Sequence, residues 1–336
     1  MAENTTDISR NDILAISPDI LPVLLKDHTT GRNIFWASDN YAERGDGYQF
    51  SDPISIEAIT GINGNVIVPR ALKSQRLQKL RSKEKAEIFT PSWLCNKQAN
   101  LLDEAIFGRQ NVFNTEVDNP DGSHTWIPSE GKIVFPEKMS WRKYIAQNQL
   151  EITCGEAPYL ASRYDAVTGN PIPIGMRIGL LDRKMRVVDE NTSTTEEWLA
   201  AAKIALHSTY GYEWQGDNII IARGNLLFSM IEYYSAKFDD NLPIETIREY
   251  AEIISWNIWQ MDGLKAVIPC SCHDEKIVKH SMFGEPDVVK NPCPGCKAKD
   301  IKRHNGIYCD IMDWEEGHPI KFVSLIKGNP YKNHKK

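Results

Sequence analysis

Cys270, Cys272, Cys293, Cys296 and Cys309 crowd into one stretch near the end of the chain, whereas Cys95 and Cys154 stand alone. In a reducing compartment such crowding points to metal before disulfides. Cys293-Pro294-Gly295-Cys296 is a C-x-x-C knuckle whose turn aims two thiolates at one ion. Cys270 or Cys272, together with Cys309, completes a tetrahedral set, and His304 falls in the same stretch. A fully thiolate site leaves no open position for water, so the expected metal is structural Zn2+. The plainer alternative is five unrelated thiols; the Pro-Gly turn and the surrounding Lys and Arg weigh against it. A redox C-x-x-C would need a thioredoxin-like setting, which is absent from the sequence.

Three other segments share a pattern, an apolar stretch ending in an acid before a turn. They are Leu150-Glu151-Ile152-Thr153-Cys154-Gly155, Thr209-Tyr210-Gly211-Tyr212-Glu213 and Asn257-Ile258-Trp259-Gln260-Met261-Asp262-Gly263. In sheets wound by helices, ligands sit at the carboxyl ends of the strands. A carboxylate there offers two acceptors in one plane, enough for two vicinal hydroxyls. A glycine lets the backbone approach a ligand with no Cβ between them. One such acid in a loop means little. Glu151, Glu213 and Asp262 on one rim suggest a ligand that is cationic or rich in hydroxyls. The first turn holds one glycine where a dinucleotide fingerprint wants three, so NAD binding is not supported.

The elements that must position these acids follow from periodicity. Helical patterns over residues 194–206 and 218–234 flank the second strand, and a helix over 244–255 leads into the third. Strand–turn–helix units in series predict an α/β fold with a parallel sheet. Pro91 and Ser92 start a further helix over Ser92–Phe107. Residues 111–140 are turn-rich, and residues 1–69 read as an irregular, partly β opening segment. Arg70, Lys73, Arg76 and Lys79 recur every third residue, which on a helix makes one basic stripe. That stripe is a solvated face or, if the rest of the chain points to DNA, a phosphate-contacting strip.

The order of these motifs resembles that of the adenine-N6 DNA methyltransferases of restriction–modification systems, and the sequence is similar to chains described as restriction endonuclease subunit M. Phe89-Thr90-Pro91, ahead of a helix, resembles the family's aromatic-Thr-Pro element; the resemblance implies that it closes over S-adenosylmethionine. Glu151 to Ala157 resembles the Asp-Pro-x-Cys-Gly-x-Gly loop. Glu151, Cys154 and Gly155 match, and Ala157 stands where the last glycine is expected. Glu213 resembles the ribose-binding acid and Asp262 the acid beside the cofactor's adenine. Asn329-Pro330-Tyr331, after an apolar strand from Phe322, resembles the catalytic Asn/Asp-Pro-Pro-Tyr/Phe element, one proline short. The resemblance implies that Asn329 accepts the adenine N6 hydrogens and that Tyr331 stacks on an extruded base. Only five residues follow Tyr331, so a partner chain that completes the catalytic fold is expected, or a restriction or specificity subunit.

The resulting expectation is an α/β fold with a Rossmann-like, S-adenosylmethionine-dependent methyltransferase sheet and a zinc-knuckle insertion. Residues 1–69 form the opening segment, 70–264 the cofactor domain, 265–312 the knuckle and 313–336 the closing strand with Asn-Pro-Tyr. The expected activity is methyl transfer to adenine N6 in DNA. Asn329, Pro330 and Tyr331 would meet the target base, and Phe89, Thr90, Pro91, Glu151, Cys154, Gly155, Glu213 and Asp262 the cofactor. The alternative is a non-catalytic, methyltransferase-like DNA-binding subunit that keeps the zinc site. A nuclease is disfavoured, since no PD…(D/E)xK-type cluster can be placed. Net charge is −6, with 41% hydrophobic and 25% charged residues. That excludes a wholly basic nucleic-acid coat and leaves room for a local basic patch. No stretch approaches the ~18 apolar residues of a membrane span. The polar, acidic opening residues lack the basic flank and apolar core of a signal peptide, so a cytoplasmic location is expected.

Overall fold

The computed structural model describes residues 9–85, 90–279 and 287–327. Two short helices come first, α1 (Arg10–Ile16) and α2 (Ile20–Leu25), and then the single turn α3 (Ile56–Ile59). The Ser9 hydroxyl accepts from the Asn11 and Asp12 amides, and the Asp12 carboxylate accepts from the Ser9 amide, which fixes the start of α1. Where strand was expected, this segment instead coils around isolated bridges, Lys26 with Asn33 and Phe35 with Pro53. Ile20, Leu24, Trp36 and Ile67 bury it in the main core.

Next come α4 (Gln75–Lys85) and α5 (Ser92–Phe107), then β1 (Asn114–Asp118) and β2 (His124–Pro128), an antiparallel hairpin inside the turn-rich stretch. Helix α5 has the bounds that its Pro-Ser start signal predicts. Asp165 accepts the Ser92 amide at 2.7 Å, and Gly108 ends the helix in the left-handed region at φ 68°.

A three-stranded parallel sheet forms the centre. After α6 (Trp141–Ile145) follow β3 (Gln149–Ile152), α7 (Leu180–Asn191), α8 (Thr195–His207), β4 (Thr209–Glu213), α9 (Gly216–Phe238), α10 (Ile244–Asn257) and β5 (Ile258–Gln260). The strands lie in chain order, Gln149 opposite Thr209 and Gly211 opposite Ile258. Parallel neighbours need long crossovers, and the helix pairs α7–α8 and α9–α10 supply them. The chain is thus mixed α/β.

The basic stripe does not form one helical face. Arg70 lies in a 3-10 turn, Lys73 precedes α4, and Arg76 and Lys79 are exposed on it. Lys73 is instead buried with Arg81 against Asp217, in the first turn of α9. Arg81 Nη2 stands 2.8 Å and Lys73 Nζ 3.8 Å from Asp217 Oδ2, to which the Tyr41 hydroxyl also donates at 2.7 Å. Burial alone would raise the Asp217 carboxyl, but Arg81, Lys73 and the Tyr41 hydroxyl hold it down at about 2.

The rest of the described chain is β6 (Glu275–Lys279), β7 (Asp287–Asn291), α11 (Pro294–Ala298), β8 (Asp310–Asp313), β9 (His318–Lys321) and α12 (Phe322–Leu325). β6 pairs with β7 and β8 with β9, both antiparallel. The apolar run from Phe322, expected as strand, is the short helical turn α12. A second, smaller core joins this part to the sheet, with Tyr212, Trp259 and Met261 packed among Ile268, Ile301, Cys309 and Ile311. Among the described residues no helix is long and apolar enough to cross a membrane.

Candidate functional site

The carboxyl ends of β3 and β4 open into a cavity of about 1090 Å³. Its walls are the turn from Thr153 to Tyr159, Trp214 and Gln215 after β4, Asn218 in α9, and the α5 side chains Gln98, Leu101 and Leu102. Ala37 and Phe50 close it from the opening segment, and Thr90 lies at its rim ahead of Pro91 and α5.

Two carboxylates face this space. Glu213 Oε2 accepts the Gly155 amide at 2.9 Å, and its Oε1 accepts the Gln215 amide at 3.2 Å. Glu151 Oε2 is buried with no hydrogen-bond partner. Burial pushes the Glu151 carboxyl well above the usual range; the Tyr159 and Leu160 amides pull it down, and the Glu213 charge adds to the rise. Burial raises Glu213 as well, against the pull of the Gln215 and Gly155 amides. No Lys or Arg lines the cavity among the described residues. Buried carboxylates without a cation suit a ligand that brings positive charge or several hydroxyls.

The turn between the two acids is conformationally unusual. Thr153, Gly155 and Ala157 have φ of 49°, 54° and 64°. The left-handed region is natural for glycine and costs other residues about 1 kcal/mol or more. Ala157, which stands where the resemblance expects glycine, therefore keeps a glycine-like backbone. Cys154 is buried, its amide bonded to the Tyr212 carbonyl at 2.9 Å. A Cβ on Gly211 would lie 3.2 Å from Cys154 Sγ, so any side chain there would crowd the turn and push the thiol aside by a few tenths of an ångström.

Asp262 does not line the cavity. Its Oδ1 accepts the Leu264 amide at 3.1 Å and its Oδ2 pairs with Lys265 Nζ at 3.0 Å, so the carboxylate is occupied in closing the turn after β5. The expected rim of three acids is a pair. Phe89, Asn329, Pro330 and Tyr331 lie outside the described residues. Gln98, Leu101, Leu102, Trp214 and Asn218 were not expected at the site. Leu101 and Leu102 did carry a signal: they fall off the buried stripe of α5 (Cys95, Ala99, Asp103, Phe107) and are 60% and 51% exposed.

A second site lies in the Cys-rich part. Cys272, Cys293, Cys296 and His304 bring one ligand atom each to within 4.8 Å of one another. His304 Nδ1 is 3.5 Å from Cys272 Sγ and 3.6 Å from Cys293 Sγ and Cys296 Sγ. Sulfur at about 2.3 Å and nitrogen at about 2.0 Å from one zinc, held at the tetrahedral angle, stand about 3.5 Å apart. The spacing fits Zn2+. His304 takes the place expected of Cys309, which is buried in the smaller core with its thiol donating to the Gln260 carbonyl at 3.5 Å. Cys270 is exposed and outside the cluster.

Local structure explains why these four groups converge. Pro294 starts α11 directly after Cys293, and a Cβ on Gly295 would lie 2.6 Å from the His304 ring. The Asn305 amide donates to Cys293 Sγ at 3.3 Å, and the His304 amide to the Tyr308 hydroxyl at 2.8 Å. Such outer bonds orient metal ligands.

No family model matches the chain, and no curated protein or solved structure matches it either. What the two sites can do rests on their own groups. The cavity pairs buried carboxylates with an apolar wall; the cluster offers four protein ligands, enough to fill a tetrahedral metal with no position left open, as a structural site does.

Proposed function

We propose that the chain binds S-adenosylmethionine in the β3–β4 cavity, on a sheet of Rossmann-like type, as part of an adenine-N6 DNA methyltransferase of a cytoplasmic restriction–modification system. One observation supports this reading: Glu151 and Glu213 face one cavity across the Gly155 turn, and among the described residues no Lys or Arg lines it. A nucleoside with a cationic tail complements that arrangement. Glu213 has lone pairs left for ribose hydroxyls beyond its two amide bonds, and the unpartnered Glu151 Oε2 suits an ammonium group. Leu101, Leu102 and Trp214 offer an apolar wall for a flat base, and Thr90 closes the α5 side, while Pro91, next in the chain, is not among the lining residues.

The bound cofactor would supply an electrophilic methyl group. The chain's own residues hold and orient it and keep water away, which is most of what a displacement at carbon needs. Asn329 and Tyr331, with Pro330 between them, are the proposed groups at the target base. DNA is the proposed substrate, and a restriction or specificity subunit, or a chain completing the sheet, the proposed protein partner.

Calorimetry of S-adenosylmethionine against the wild type and Glu213→Ala tests cofactor binding. Tritiated methyl transfer to adenine-containing DNA, with Asn329→Ala as control, tests the chemistry. Folded wild-type protein that binds no S-adenosylmethionine overturns the reading. A second reading, a non-catalytic DNA-binding subunit, draws support from the sheet, which has three strands with β3 at its edge among the described residues. Cofactor binding with no transfer in the presence of any partner from the same locus selects it.

A further inference from the structure

The expected phosphate strip ahead of and along α4 is partly consumed inside the fold, because Lys73 and Arg81 are buried on Asp217. A different concentration of exposed cations lies in the metal module. Between residues 290 and 303 the chain carries Lys290, Lys297, Lys299, Lys302 and Arg303 against one acid, Asp300, in a protein of net charge −6. All five cations are exposed. Asp300 Oδ1 accepts the Lys302 amide at 3.1 Å and so serves the turn. Three thiolates and a neutral imidazole around Zn2+ would carry one net negative charge, which leaves the segment from Lys290 to Arg303 net positive.

The cations are also tied to the cluster by the chain itself. Lys297 follows Cys296, and Arg303 precedes His304, each one peptide bond from a ligand. A coordinated metal would fix the backbone from which they project, so only their side chains, not the chain that carries them, remain to be ordered on binding. Duplex DNA offers one negative charge per ~1.7 Å of its axis, a dense and regular target for such a surface.

We propose that the Cys3His module is the DNA-backbone contact of this chain, with Lys297, Lys302 and Arg303 holding phosphates. This rests on the reading that DNA is the substrate and adds which surface grips it. Fluorescence anisotropy with a short labelled duplex, titrated with salt, tests it. Lys302→Glu combined with Arg303→Glu, with zinc content confirmed by metal analysis, should lose about tenfold or more in affinity, and the log–log salt slope should fall in magnitude by about 2. Arg76→Glu with Lys79→Glu on α4 should change less. If the double variant loses zinc, Lys297→Glu replaces it, with the salt slope then expected to fall in magnitude by about 1. Unchanged affinity and slope in a zinc-loaded variant overturn the assignment. Polyglutamate that displaces DNA charge for charge overturns it in favour of a general acidic partner. Wild type that binds S-adenosylmethionine but no DNA overturns the DNA reading itself and leaves the cofactor site standing.

Discussion

The Gly155 amide donates to Glu213 Oε2 at 2.9 Å, so the acid that ends β4 holds the turn that follows β3. With the Gln215 amide on its other oxygen, one carboxylate fixes both strand ends and the start of α9. The same group is the proposed ribose acceptor, so fold and ligand compete for its substitutions.

Glu213→Ala unties two backbone amides at once and is expected to cost about 2 kcal/mol of stability. Glu213→Gln keeps one carbonyl oxygen and should melt closer to the wild type. Both should bind S-adenosylmethionine at least tenfold more weakly (about 1.4 kcal/mol or more). Thermal melting and calorimetry on the two variants separate the structural share from the ligand share. A Gln variant that binds as the wild type does would show that the charge of Glu213 is not what the ligand needs.

Burial raises both cavity carboxyls, Glu151 and Glu213. A ligand with positive charge favours their ionised forms, so its binding should expel protons, and affinity should rise as pH rises from the acid side. Calorimetry in buffers of different ionisation enthalpy measures the proton count directly. Proton uptake on binding contradicts the pairing of a cationic ligand with these acids.

Asp217 works in the opposite direction. Its carboxyl ionises at about 2 in the fold against an ordinary 3.8. A depressed folded value contributes stability above the unfolded value and loses it as pH falls toward the folded one, here from about pH 4 to pH 2. The shift corresponds to about 2 kcal/mol. Urea unfolding across that range should show Asp217→Asn with a shallower acid limb. Arg81→Ala, which strips Asp217 of its closest cation, should cost about 3 kcal/mol at neutral pH.

The metal site makes a prediction of ligand identity. Protein purified without chelator should carry about one zinc per chain, and Cys272→Ser or His304→Ala should release it and loosen the surrounding segment. Cys270→Ser and Cys309→Ser should retain it. Metal analysis on the four variants decides which thiols belong to the cluster.

Much of the architecture was legible because it depends on short-range signals. The Pro-Ser start and Gly108 stop delimit α5, and β4 lies between two helices of clear periodicity. What escaped depends on contacts distant in sequence. Nothing near Lys73 or Arg81 announces that Asp217 will bury them, and a stripe with a period of three looks the same whether its charges meet water or an acid. In the sequence Asp262 follows an apolar run much as Glu213 does, but it falls two residues past the end of β5 and Lys265, three residues on, takes up its carboxylate. His304 looked secondary beside five cysteines. Cysteine spacing alone does not reveal that Cys309 packs under β5 while His304 turns toward the knuckle.

The parallel sheet has a consequence for how the chain assembles. Gln149 pairs with Thr209 and Gly211 with Ile258, each across a pair of helices, so no two of its strands can zip together locally. Loops of that length must close before any ladder bond rewards them, which makes sheet formation a slow step. During synthesis β3 emerges first and waits, its backbone edge unpaired, until the helices deliver β4. The interval between those two events is when this protein is most open to mispairing. Slower translation through α7 and α8 would lengthen that interval, whereas early packing of α7 against α8 would shorten it.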